Sequence, residues 1–218
     1  MSERWIELSY VIEHGMTTYP GLPEPSIEPW LTFEDSKKKY SEGTEFQIAR
    51  ITMVANTGTY LDAPSHRFAS GGDIATLGIG RLVDLPGRVV SVPDGVREIA
   101  PDLLPSDDLR GQAVLFRTGW SRHFGQPKYG DGHPYLADAT AEALIASGVA
   151  LVGIDSLNID GTATGERPVH TALLGAAIPL VEHLTGLEQL PESGFRFYAV
   201  PLRVRGMGSF PVRAFARL

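Results

Sequence analysis

Apolar residues along this chain gather in short runs broken by proline and glycine. Segments 4–12 (RWIELSYVI), 46–55 (FQIARITMVA), 87–92 (GRVVSV), 113–119 (AVLFRTG), 149–155 (VALVGID) and 195–204 (FRFYAVPLRV) are rich in β-branched and aromatic residues and read as strands. Sixteen prolines and 24 glycines, spread over 218 residues, supply the turns between such short elements. Helical periodicity is scarcer. It is clearest at 137–148 (ADATAEALIASG), where Asp138 lies near the start, Leu144 and Ile145 share an apolar face, and Gly148 offers a C-terminal stop. A second helix is predicted to begin at Pro168, whose fixed φ suits the first helical position. It should end by Gly175, because Pro179 lacks the amide proton a helix needs. His170 then sits near a helix N-terminus and Glu182 on the extended segment after it, so two different elements can bring them to one centre. Strands lead and helices are few, which predicts an α/β fold with a mixed sheet rather than a doubly wound parallel one. No repeat or shift of composition marks a linker, and residues 1–218 are read as one domain.

Composition narrows the chemistry. The absence of cysteine removes disulfides, Cys-ligated zinc, iron–sulfur clusters and a thiol nucleophile together. Acidic residues outnumber basic ones, 26 to 19, which argues against a nucleic-acid partner. The lysines of DSKKKY (35–40) read as a solvated face. Charges at Glu3, Arg4, Glu7 and Glu13 interrupt the apolar segment a signal peptide requires, and no window of about 18 apolar residues exists. A cytoplasmic location and no membrane partner are therefore expected. No G-x-S-x-G elbow and no Walker-type phosphate loop occurs. GIGRLV, which begins like a dinucleotide loop, has Val83 in place of the third glycine.

The densest chemistry lies at 56–66, NTGTYLDAPSH. If 56–62 is extended, Asn56, Tyr60 and Asp62 share one face by period two, with Gly58 leaving room between them. Pro64 then turns the chain so that His66 returns to the same cavity. Asp and His at this spacing can hold a metal or carry out acid–base work. On the residues alone, Asp62 can equally cap a turn, His170 can be structural, and Glu182 can pair with Arg213 or Arg217. His14, His123, His133 and His183 read as structural or surface residues, with His133 in GDGHPYL the candidate exception. Asp155 and Asp160 of GIDSLNID, at the end of a buried strand, read as supports for a ligand or as turn formers.

NTGTYLDAPSH aligns without a gap with His-x-Gly-Thr-His-x-Asp-x-Pro-x-His, and the chain resembles the cyclase family of metal-dependent hydrolases, which includes bacterial kynurenine formamidases and isatin hydrolases. ELSYVIEHGMTTYPGLP, FRTGW, HPYL, GIDSLNID, HTALLGAAIPLVEHL and the closing GSFPVRAFA resemble further landmarks, so the likeness spans nearly the whole chain. It implies a swivelling β/β/α fold, a homodimer or homotetramer, metal ligands at Asp62, His170 and Glu182, and a catalytic histidine at His66. Two family histidines are replaced, by Asn56 and Tyr60. An amide oxygen can bind a hard cation; a phenol can donate a hydrogen bond or, if ionised, bind metal.

The expected activity is hydrolysis of a C–N amide, formamide or cyclic amide bond of a small molecule, using one divalent ion and His66 as general base. A ligand set enriched in oxygen tilts the choice toward Mn²⁺ over Zn²⁺. The alternative is a metal-free relative, a binding protein or an enzyme of altered lactone or cyclase chemistry, in which Asn56 and Tyr60 contact the ligand. Trp5, Tyr19, Trp30, Phe46 and Phe68 either line an aryl pocket or fill the core.

Overall fold

The computed structural model describes residues 3–218. In chain order the elements are β1 (Trp5–Glu7), β2 (Ser26–Leu31), α1 (Phe33–Lys37), β3 (Ile48–Thr52), β4 (Tyr60–Asp62), β5 (Leu85–Ser91), β6 (Glu98–Ile99) and β7 (Ala113–Arg117). They continue with β8 (Tyr135–Leu136), α2 (Asp138–Ser147), β9 (Leu151–Ile154), α3 (Pro168–Gly175), β10 (Leu180–Glu182), β11 (Phe195–Pro201) and β12 (Ser209–Arg217). Both predicted long helices stand. Gly148 ends α2 at φ 69°, donating back to Leu144 and Ile145, and α3 starts at Pro168.

The main sheet runs β1-β12-β11-β5-β7-β9-β10-β4, and a further pairing of β12 with β4 closes seven of these strands into a barrel. It is mixed, as expected: β5, β7, β9 and β10 are parallel neighbours, while β4, β11 and β12 pair antiparallel. Period two sorts the side chains. Ala113 and Leu115 of β7 join Leu61, Val181, Phe197 and Ala214 in one core, whereas Val114 and Phe116 pack with Leu144, Val169 and Leu173 of α2 and α3. The parallel strands are thus buried on both faces, which is why they read as continuous apolar runs.

Several expectations shorten. The run 4–12 is strand only over β1, and 46–55 only over β3. β3 lies outside the barrel, paired with β2 alone, and all five of its residues are exposed. Extended structure over the whole of 56–62 does not form. Gly58 takes a left-handed φ of 64° and donates its amide to Thr18 Oγ1 at 2.7 Å, so the chain turns there and enters β4 only at Tyr60.

Candidate functional site

Strand register assembles the site. On β4, Tyr60 and Asp62 are two residues apart and lie on one face. Across the sheet Tyr60 stands opposite Glu182 of β10, and Asp62 opposite Ser209 of β12. The first pair is joined by the Tyr60 hydroxyl, which donates to Glu182 Oε2 at 2.7 Å. In the second, the Ser209 hydroxyl donates to Asp62 Oδ1. After Asp62, the 3₁₀ turn Pro64–His66 brings His66 back until its Nδ1 is 2.7 Å from Ser209 Oγ. Gly208 makes this approach possible: a Cβ there would lie 2.6 Å from the His66 backbone.

A serine hydroxyl has one proton. Ser209 gives it to Asp62, so toward His66 its oxygen accepts, which places the imidazole proton on Nδ1 and leaves Nε2 as the basic nitrogen. His66 is partly open to solvent.

His170, near the start of α3, is buried and held from behind. Asp160 Oδ2 accepts from its Nδ1 at 2.6 Å, and the Asp160 carboxylate also takes the Val169 and His170 amides. Nε2 therefore faces forward, 3.7 Å from Asp62 Oδ2 and 3.6 Å from Glu182 Oε1. Burial by itself disfavours an imidazolium, but the Glu182 charge, the Asp160 hydrogen bond and Asp62 outweigh it and push the His170 pKa up to about 10. The proton belongs to His170 rather than to Glu182, because both Glu182 oxygens already accept, one from Tyr60 and the other from the Ile159 amide at 2.7 Å. Burial first, then the charges of Glu182 and Asp62, raise the Tyr60 phenol well above its ordinary value, so it stays protonated and acts as a donor.

Asp62 Oδ2 is buried with no hydrogen-bond partner among the described residues. A carboxylate oxygen left bare beside an imidazole nitrogen whose far side is fixed by a second carboxylate is the donor arrangement of a metal site. Asp62, His66 and His170 each place a ligand atom within 4.8 Å of the others, and Glu182 adds a carboxylate oxygen 3.6 Å from His170 Nε2. These residues suit a divalent cation. His66, His170 and Glu182 border a cavity of about 270 Å³ that Tyr19, Asn56, Tyr60, Arg67 and Arg167 also line.

Residues 6–161 match the family model "Putative cyclase". The chain belongs to the cyclase family. Among curated relatives, the "Kynurenine formamidase" of Bacillus cytotoxicus is 29% identical over 221 residues, covering 99% of this chain and 98% of that protein. A predicted metal-dependent hydrolase from Bacillus stearothermophilus matches with a TM-score of 0.79 at 26% identity, over 100% of this chain and 99% of that one. An isatin hydrolase bound to the product analogue thioisatinate matches with a TM-score of 0.84 at 20% identity, over 99% and 92%, which speaks for the fold. The barrel and its few helices are the family's fold.

The structure brings together six residues singled out by sequence, Asn56, Tyr60, Asp62, His66, His170 and Glu182. Asn56 arrives by the turn at Gly58 rather than along a strand face, and lines the cavity beside Tyr60. Glu182 does not pair with Arg213, which is bound to Glu7, or with Arg217, which meets Glu3 and Asp84. Asp160 supports His170, whereas Asp155 serves a turn, accepting from Thr118 and Gly119. Of the five aromatics, Tyr19 reaches the cavity, while Trp5 and Trp30 are exposed. His133 is buried against the Asp160 carbonyl, and His183 is fully buried, its Nδ1 paired with the Tyr129 hydroxyl. Ser209 was not among the sequence candidates. Its role depends on a register across 147 residues, and the only local signal was its place in GSFPVRAFA.

Proposed function

We propose that this cyclase is an enzyme that hydrolyses a C–N amide bond of the arylformamidase type, a formamide or a cyclic amide, with one divalent ion held by Asp62, His170 and Glu182. The observation that carries the reading is that the bare Asp62 Oδ2 and Glu182 Oε1 flank the buried His170 Nε2, at 3.7 and 3.6 Å. The names of the relatives, kynurenine formamidase and isatin hydrolase, support amide chemistry. An ion in that position supplies Lewis acidity that polarises a carbonyl and acidifies water. The chain's own part is proton transfer. His66 Nε2 accepts the proton of the attacking water and returns it to the leaving nitrogen, and Ser209 holds the ring in the tautomer that makes this possible. Oxygen-rich ligation favours Mn²⁺, with Zn²⁺ next.

One observation favours a second reading. Glu182 is already satisfied by the Tyr60 hydroxyl and the Ile159 amide, and a protonated His170 lies between Asp62 and Glu182, an arrangement that needs no ion. That alternative is a metal-free protein that binds its ligand through Asn56 and Tyr60. Elemental analysis after dialysis against Mn²⁺ or Zn²⁺, with formanilide hydrolysis measured before and after chelation, separates the two. About one ion per chain and chelator-sensitive turnover support the hydrolase; no ion and no turnover support the binder.

A homodimer or homotetramer belongs to the same proposal. β3 exposes all its residues, including Ile48 and Ile51, beside the 69% exposed Trp30 of β2, and a two-stranded ribbon of this kind is marginal without a partner. Sedimentation tests the assembly, and cell fractionation tests the expected cytoplasmic location.

A further inference from the structure

Arg67 and Arg167 stand where the inner cavity meets a wider groove of about 830 Å³, and each lines both spaces. Some arginines elsewhere meet carboxylates, as Arg50 does Glu28, Arg88 Asp107 and Arg213 Glu7, and others, such as Arg81 and Arg203, donate to backbone carbonyls away from the cavity. Among the described residues neither Arg67 nor Arg167 forms an ion pair; both are held by neutral acceptors instead. Arg67 Nε donates to Thr171 Oγ1 at 2.9 Å, and the Thr171 hydroxyl donates in turn to the Arg167 carbonyl at 2.6 Å. Arg167 directs Nη1 at the carbonyls of Thr164, at 2.9 Å, and Glu166, at 2.6 Å. This chain fixes the two residues to each other at the start of α3. It leaves both Nη atoms of Arg67, and Nε and Nη2 of Arg167, without an acceptor among the described residues.

A guanidinium is charged at every working pH, and its planar fork fits a carboxylate. Asp138 and Glu166 border the outer groove but not the inner cavity, so neither carboxylate neutralises the two cations on the inner side of the junction. An anionic ligand is therefore met at the cavity mouth by two guanidinium groups, which hold its charge outward. Resting on the hydrolase reading above, we propose that Arg67 and Arg167 are specificity-determining residues that bind a carboxylate of the substrate, so that this enzyme selects carboxylate-bearing amides over neutral ones and orients the scissile bond inward.

The test compares kcat/KM of the Mn²⁺-loaded protein on 2- and 4-formamidobenzoate with that on neutral formanilide. Charge-assisted hydrogen bonds discriminate by about ten- to a hundredfold each, so the better carboxylate is favoured by about 10²-fold, chiefly through KM. In Arg67→Gln/Arg167→Gln the ratio falls toward 1, and the double Lys variant keeps part of it. Damage to the fold would lower both substrates together and leave the ratio alone. Calorimetry with 2- and 4-aminobenzoate against aniline reads the same anion site without turnover. Arginine-dependent aminobenzoate binding with no formamide hydrolysis sinks the hydrolase reading and keeps the anion site. Equal kcat/KM for charged and neutral formamides, no aminobenzoate binding, or binding that the double Gln variant retains overturns the proposal.

Discussion

Loading the Asp62, His170 and Glu182 cluster with a divalent ion must expel a proton. In the ion-free protein His170 is an imidazolium up to about pH 10, held there by Glu182, Asp160 and Asp62 against the cost of burial. A ligand nitrogen has to be neutral. At pH 7 the proton lies about three units below its release point, and each unit is worth about 1.4 kcal/mol. Metal binding is thus penalised by about 4 kcal/mol, or about 10³ in affinity, relative to a deprotonated site. Affinity should rise about tenfold per pH unit from 6.5 to 8.5. Calorimetric titration with Mn²⁺ in buffers of different ionisation enthalpy should give one proton released per ion. The sign for stability follows from the same shift. With a folded pKa above the unfolded one, His170 stabilises the ion-free protein fully below about pH 6.5, and this contribution is lost as pH rises toward about 10. Affinity that is flat with pH, together with no proton release, would refute the reasoning and place the proton elsewhere.

Further outcomes follow from the same geometry. His66→Ala should cut turnover by about 10²- to 10⁴-fold with ion content intact; loss of the ion measured by elemental analysis would make His66 a ligand instead. Tyr60→Phe leaves Glu182 Oε2 buried without its donor, and chemical denaturation should show a loss of about 1–3 kcal/mol, unchanged stability arguing that the hydrogen bond is absent in solution. Burial pushes the His183 pKa down to about 3, so its unfolded form binds the proton first. Its contribution is present above about pH 6.5 and lost as pH falls toward 3. His183→Asn, which tolerates the φ of 56° at this position, should flatten the acid limb of stability against pH, and an unaltered limb would contradict the assignment.

Much of this protein was legible along the chain because its signals are local. Strands such as Ala113–Arg117 and Leu151–Ile154, buried on both faces, announce themselves as apolar runs. The helix Asp138–Ser147 carries its own glycine stop, and Pro168 marks the start of the next. The motif from Asn56 to His66 named its own chemistry, since Asp, Pro and His lie within a few residues of one another. What the chain could not display was register. That Asp62 stands opposite Ser209 and Tyr60 opposite Glu182 depends on barrel closure between strands more than a hundred residues apart, and a slip of one residue would turn each side chain to the other face. The left-handed turn at Gly58 hid in the same way. Period two alone predicts a strand, and the φ that breaks it depends on where Thr18 and Ile12 pack against that glycine. The tertiary structure therefore decided which hydroxyl polarises His66, which carboxylate fixes His170 and where two unpaired arginines meet, because each rests on contacts between segments far apart in sequence.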